Sequence, residues 1–562
     1  MQNFLIHGKI DTMFNDVDYK NEREKMKTTF GADTMCTAKF LSSTIYLQTG
    51  QTHSCYHPLP HDIPLEEIKD NPSALHNTQH KIERRHQMMT GERPEECNYC
   101  WRVEDMGEDH LSDRIIKSKN ELLMTPTAYE DILKNGWNHN YIPTYLEISF
   151  GSECNMKCAY CHPKASSAWM KEMDTHGQFP KAPQLQKLWE QIYPEDKNPY
   201  LQAFWNWWPM LRTKLKVLRL TGGEPLLQQS IWKFLDMIDE KPCPDLVFQM
   251  NSNLNVKNVL VKRFCAKIKK LIDEKKIKRF HLFTSLESWG PRASYTRSGL
   301  DLKLFEQNME TVWTSLKDYP RESFSGVTIM NTFNIMSVTS YVEFLQKVLE
   351  WRKKFIGDKN HHFIKFDIPH CTEPAQWTLI GLPDNYDMYF RLITDFINKN
   401  SWDSVVKTLR NVTNYEDHYY LYFSEEECIA WSRVHSYWNN IKSDRSKVDS
   451  PAYLDVVNVD DARRNWFLFI EETDKRRGTN FLEIFPEMED YYKLCSELES
   501  LDSRFYNKYV KEIMISPTHC DIHLDDDFFL HHTVLGENLI NQRYVNGHPT
   551  KLYRDDILIR EF

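Results

Sequence analysis

The stretch that most restricts the fold is Tyr145-Leu-Glu-Ile-Ser-Phe150, which runs through Gly151-Ser152 into Cys154-Asn-Met-Lys-Cys-Ala-Tyr-Cys161. The first six residues read as a β-strand, and the thiols that follow are spaced C-x3-C-x2-C. Thiolates so spaced can reach three corners of an iron–sulfur cube and leave the fourth without a local ligand. An open metal position is where something other than the protein binds. A ligand-bearing loop at the C-terminal end of a strand points to an α/β protein with its chemistry on that face. A structural zinc loop or three buried thiols would share the spacing, so the rest of the chain has to decide.

Five more strand-like runs follow, each ending in polar residues. Leu215–Leu220 alternates and enters Thr221-Gly222-Gly223-Glu224-Pro225, where glycines permit close backbone approach and Glu224 adds a carboxylate. Leu246–Met250 ends at Asn251 and Asn253, and Phe280–Thr284 at Ser285 and Glu287. Val327–Met330 leads to Asn331 and Asn334, and Phe363–Phe366 to Asp367-Ile-Pro-His-Cys371. Helical segments lie between. Right-handed crossovers give a parallel, curved sheet with all of these polar ends on one face.

Upstream, Ser42–Gln48 followed by Thr49-Gly50-Gln51 reads as a hairpin that brings Cys36 and Cys55 together, in the pattern C-x13-G-x4-C. Cys97 and Cys100, spaced C-x2-C after the turn signal at Gly91–Pro94, supply a second pair. Two pairs complete a four-thiolate site that suits zinc as well as iron–sulfur. His53, His57 and His61 nearby are read as packing or hydrogen-bonding residues.

The three-cysteine run, with aromatic Tyr160 before its last thiol and GGEP about 60 residues later, resembles the radical SAM superfamily. The upstream cysteine pattern looks like a twitch domain, a half-size SPASM module, placed before the core rather than after it. The resemblance implies a partial (β/α)6 barrel and a 4Fe–4S cluster on Cys154, Cys158 and Cys161 with S-adenosylmethionine at its open iron. It implies cofactor contacts from Tyr160, Gly222, Gly223, Glu224, Pro225, Asn251, Asn253, Ser285, Glu287 and Arg297. Many relatives have aspartate where this chain has Glu287, and a surface salt bridge is the alternative for Arg297. On the same resemblance Cys36, Cys55, Cys97 and Cys100 hold an auxiliary 4Fe–4S cluster, with zinc as the alternative.

The chemistry implied is reductive cleavage of S-adenosylmethionine to a 5′-deoxyadenosyl radical, which takes a hydrogen atom from a substrate. A saturated second cluster fits an electron relay, hence an oxidative peptide or protein modification. Small-molecule alcohol dehydrogenation or epimerisation is the alternative, and a non-catalytic zinc-binding interaction protein a second. Cys371 is the candidate hydrogen-atom donor, against a buried thiol with no such role. A reductant such as flavodoxin or ferredoxin is the expected partner.

Composition narrows the rest. A net charge of −10 argues against a general nucleic-acid binder. No apolar run reaches the ~18–20 residues of a membrane span, and the N-terminus lacks a secretory pattern. Thirteen cysteines in such a chain are read as reduced thiols and ligands, consistent with the cytoplasm. The expected organisation is an arm over 1–30, the cysteine module over 31–115 and the barrel over 140–385. A helical accessory region over 386–500 and an extension over 501–562 complete it. Within these, 104–114 is read as a polar connector, Phe204–Trp208 as core, and Asp474–Pro486 as a stretch familiar from the same group but without chemical role.

Overall fold

The computed structural model describes residues 16–105, 107, 112–120, 123–179, 192–355, 364–409, 420–443, 445, 458–505 and five strands between 519 and 561. The run 180–191 lies outside them, as does Phe363, the first residue of the last strand expected from the sequence. The chain divides into two units, Met1–Met488 and Glu489–Phe562.

The first unit is built on one nine-stranded sheet. Its strands are β1 (Ser42–Tyr46), β2 (Gln51–His53), β3 (His61–Asp62), β4 (Tyr145–Ser149), β6 (Val217–Thr221), β7 (Cys243–Ser252), β8 (Ile277–Ser285), β10 (Phe324–Met330) and β11 (Ile364–Asp367). Two short strands, β5 (Lys157–Cys158) and β9 (Arg297–Ser298), pair separately. The order is β11-β10-β8-β7-β6-β4-β1-β2-β3, with every pair from β11 to β1 parallel. The six expected strands are all present, so the chain is a mixed α/β protein with a parallel sheet. β7 begins earlier than its apolar run because Pro244 and Asp245 lie at a register shift, where a proline costs no ladder bond.

The hairpin of β1 and β2 is continuous with this sheet. Its first strand runs parallel to β4, with Ser42 opposite Tyr145 and Tyr46 opposite Ser149. Gly50 turns it at φ +66°, and a Cβ there would sit 2.2 Å from the Tyr200 ring. No other residue meets both demands.

One face of each central strand packs on helices. Phe204, Trp207 and Trp208, on the helix Pro199–Leu211, are buried, and Phe150 and Phe234 join them, as expected of a core. The arm holds a helix, Asp16–Phe30, that docks through buried Met26 and an ion pair from Arg23 to Asp33. Its charges hid that single apolar stripe. In the polar connector Glu104 and Arg114 form an ion pair at 2.6 Å with both side chains 2% exposed, while 106 and 108–111 lie outside the described residues. Charge reads as solvent exposure only until a partner is known.

After β11 the first unit is helical, with Asp387–Lys399, Glu425–Ser443 and Val459–Arg477. The second unit holds the helix Glu489–Phe505 and a meander of five antiparallel strands, β12 (His519–Asp525), β13 (Phe528–Leu535), β14 (Asn538–Val545), β15 (His548–Arg554) and β16 (Ile557–Glu561). Sequence reading had assigned this extension no strands, although Asn546-Gly547 between two alternating runs is a hairpin signal. Among the described residues no helix is long and apolar enough to cross a membrane.

Candidate active site

The cysteine loop leaves β4 at Ser149 and is braced on every side. The Ser167 hydroxyl accepts from the Cys154 amide at 3.0 Å, Ser166 donates to the Met156 carbonyl at 2.7 Å, and the Trp169 indole donates to the Cys158 carbonyl at 3.0 Å. Burial pushes the thiols of Cys154 and Cys161 up to about 12 and that of Cys158 upward, and Cys158 adds to the first two by its charge. Three half-buried thiols so placed ionise readily beside a positive centre, which an iron-bearing cluster supplies. The residues fit the group.

β6 delivers its glycines against this loop. A Cβ on Gly222, at φ +111°, would meet Ser149 Oγ at 2.5 Å, and one on Gly223 would meet the Glu153 carbonyl at 2.4 Å. The close approach they permit is therefore to the cysteine loop itself. Glu224 is fully buried; its carboxylate accepts from the Leu226 amide at 3.1 Å, Ser252 Oγ at 2.8 Å and the Asn253 amide at 2.6 Å. Burial lifts it to about 7 against those donors. Its side chain is used inside the protein, leaving the backbone of 222–224 as the part that could face a ligand. Pro225 opens the short turn that Glu224 caps.

Around the same strand ends, Asn253 donates to Asn155 Oδ1 at 2.9 Å, and Asn251 accepts from Arg219 Nε at 3.0 Å. Ser285 ends β8 opposite Met330. Arg297 is buried beside the loop and opposite Cys158 in the β5–β9 pair. Its Nε and Nη2 both donate to Glu287 Oε2, at 2.8 and 2.6 Å, and its Nη1 lies 3.6 Å from Cys158 Sγ. Tyr160 donates to the same Glu287 oxygen at 3.2 Å. The surface salt bridge considered for Arg297 is thus a buried one. Glu287 Oε1 and Ser149 Oγ are buried without a partner among the described residues. A buried polar atom left open marks a place where a ligand can pair.

Cys371 follows β11, is buried, and its thiol donates to the Glu373 carbonyl at 3.0 Å. Burial pushes it up to about 12, and the charges of Glu373 and Glu287 add to this.

Cys36, Cys55, Cys97 and Cys100 line one small cavity together with Lys39, His57, Asp113, Arg114 and Lys117. Burial raises Cys36, Cys97 and Cys100, and each is raised further by other members of the four. Among the described residues no set of three or more His, Cys, Asp or Glu side chains is drawn to the spacing of a single metal ion. The histidines have other work: His53 stacks on Tyr46, His57 pairs with Asp113 at 2.8 Å, and His61 bonds Thr78.

Sequence reading missed the layer of the sheet just below the cysteine loop. Glu147 on β4 and Arg219 on β6 are opposite in register and 3.8 Å apart. Tyr56, next to Cys55, donates to Glu147, and the Arg219 guanidinium lies 4.1 Å from the Phe283 ring centre. A charge set inside an otherwise apolar strand, as in Leu146-Glu147-Ile148 and Leu218-Arg219-Leu220, was the available signal.

Fold and site together define a class: a parallel α/β protein with an open three-cysteine centre at its strand ends and a second, four-cysteine cavity. No family model matches the chain. It resembles the GTP 3',8-cyclase of Campylobacter lari, 29% identical over 111 residues, 20% of this chain and 28% of that protein. The GTP 3',8-cyclase of Sulfurimonas denitrificans is 25% identical over 165 residues, 29% of this chain and 41% of that one. That of Sulfurovum sp. is 28% identical over 117 residues, 21% and 29% of the two chains. The chain therefore spans less than half the length of the relatives it matches. By their names these relatives are enzymes that act on GTP.

Proposed function

We propose that the chain is a radical SAM enzyme whose first cluster rests on Cys154, Cys158 and Cys161, within a partial (β/α)6 barrel. One observation carries the reading. Three half-buried thiols, spaced within eight residues, follow the C-terminal end of a strand in a parallel sheet, against a glycine pair that tolerates no side chain and beside a buried carboxylate oxygen with no partner among the described residues. When bound, the reduced cluster and S-adenosylmethionine would supply a 5′-deoxyadenosyl radical for hydrogen-atom abstraction. The protein's part is positioning. The backbone of Gly222–Glu224, packed on the cysteine loop, would contact the bound cofactor, Glu287 Oε1 and Ser149 Oγ would offer polar contacts, and Arg297 holds Glu287 in place.

Cys36, Cys55, Cys97 and Cys100 would hold a second cluster that relays an electron from the substrate. Zinc on the same four thiolates, which line one cavity, is the alternative. The layer of Glu147, Arg219 and Tyr56, joined by an ion pair and a hydrogen bond, would face the substrate. An oxidative peptide modification remains compatible with it. A polar small molecule is the second reading, supported by that charged layer and by relatives that act on a nucleotide. An external reductant would reach the first cluster.

Anaerobic reconstitution with iron and sulfide tests this. We expect two clusters per chain, one lost in Cys158→Ala, and release of 5′-deoxyadenosine from S-adenosylmethionine with dithionite. Zinc alone, with no cleavage, would overturn it.

A further inference from the structure

The sequence gives the stretch Asp474–Pro486 no role, and the structure packs it on Tyr295, in the segment that pairs with the three-cysteine loop. Asp474 lies in the last turn of the helix Val459–Arg477, where a carboxylate is disfavoured by the helix dipole. Its hydrogen bonds explain its presence. Oδ2 accepts from the Phe481 amide at 2.7 Å; Oδ1 accepts from Thr479 Oγ1 at 2.5 Å and from the Tyr295 hydroxyl at 2.9 Å. Tyr295 is packed between Phe481 and Phe485, with ring centres 5.9 and 5.8 Å away.

Tyr295 stands two residues before Arg297. The Thr296 carbonyl accepts from the Ala159 amide at 2.8 Å, so this strap is stitched to the cysteine loop. The same helix end reaches the other flank. Arg477 lies 3.6 Å from Glu172, which pairs with Lys157, and 5.4 Å over the ring of Trp169, which holds the Cys158 carbonyl.

We propose that Asp474 is a positioning residue for the open cluster: through Tyr295 it sets where Arg297 stands relative to Glu287 and Cys158 Sγ. The inference rests on the radical SAM reading. An N–H group 3.6 Å from a ligand sulfur is at the limit of a hydrogen bond, so a small shift of the strap makes or breaks it. Hydrogen bonds to cluster sulfurs set the reduction potential, and Glu287 is the carboxylate with an oxygen left open at the site.

The test uses the reconstituted full chain and three variants. Tyr295→Phe removes one hydroxyl and keeps the rings; Asp474→Asn weakens the acceptor; Thr479→Val removes the other donor to the same Asp474 oxygen and leaves the Tyr295 bond in place. S-adenosylmethionine affinity is measured by equilibrium dialysis. The midpoint potential of the cluster whose EPR signal responds to S-adenosylmethionine is measured by redox titration, alongside iron content. We expect Tyr295→Phe and Asp474→Asn each to weaken binding about ten-fold, the loss of one hydrogen bond to a charged group. Both should shift the potential, the double variant should be no worse than either, and Thr479→Val should do neither while lowering thermal stability. Full iron content with unchanged affinity and potential in Tyr295→Phe and Asp474→Asn overturns the inference alone. A wild-type chain that takes up no cluster overturns the reading beneath it as well.

Discussion

Removing Arg297 separates what the buried pair does for the fold from what it does for the site. The two side chains are 5% and 1% exposed, and two of the guanidinium nitrogens bond one oxygen of Glu287. In Arg297→Met that carboxylate keeps, among the described residues, only the Tyr160 hydroxyl at 3.2 Å, and its other oxygen has no partner among them already. An uncompensated buried charge costs roughly 3–5 kcal/mol, whereas replacing both partners by apolar groups of similar volume is often neutral. We therefore expect Arg297→Met to lose about that much in urea unfolding of the apo chain, followed by tryptophan fluorescence. Arg297→Met with Glu287→Leu should regain most of it. The double variant should fold and still fail to bind S-adenosylmethionine, because the polar contacts are gone. A loss under about 1 kcal/mol in the single variant, or a double variant as unstable as the single, would refute the reasoning.

Three further outcomes follow from the same geometry. Burial raises Glu224 from 4.5 to about 7, so between those values the folded chain keeps a proton that the unfolded chain has released. Stability is then full below the lower value and falls by roughly 3 kcal/mol as pH rises through the window; Glu224→Gln should flatten that slope in unfolding measured on either side of it. Gly299→Ala puts a methyl 2.7 Å from the Asn155 carbonyl at φ +99°, and should cost about 1–3 kcal/mol and most of the iron held by the first site. Gly50→Ala collides with the Tyr200 ring and should deplete iron from the second site alone, with partial recovery when Tyr200→Ala is added.

The strands and the cysteine loop were legible because local rules produce them. Alternation marks Val217–Thr221 and Ile277–Ser285 whatever they pack on, and thiols within eight residues are neighbours in any fold of Cys154–Cys161. The hairpin between Cys36 and Cys55 was legible for the same reason, through its turn at Gly50.

What only the tertiary structure decided are the long-range pairings. That the hairpin extends the parallel sheet depends on β1 meeting β4 across some hundred residues of chain. That Glu224 braces the loop, that Arg297 is buried against Glu287, and that Asp474 reaches Tyr295 are contacts between segments whose own sequences are merely polar. A charged residue carries no mark of its partner, and desolvation and pairing exist only once the chain has closed. By itself the sequence determined which side chains could bind a cluster; the fold decided which of the remaining charges stand around it.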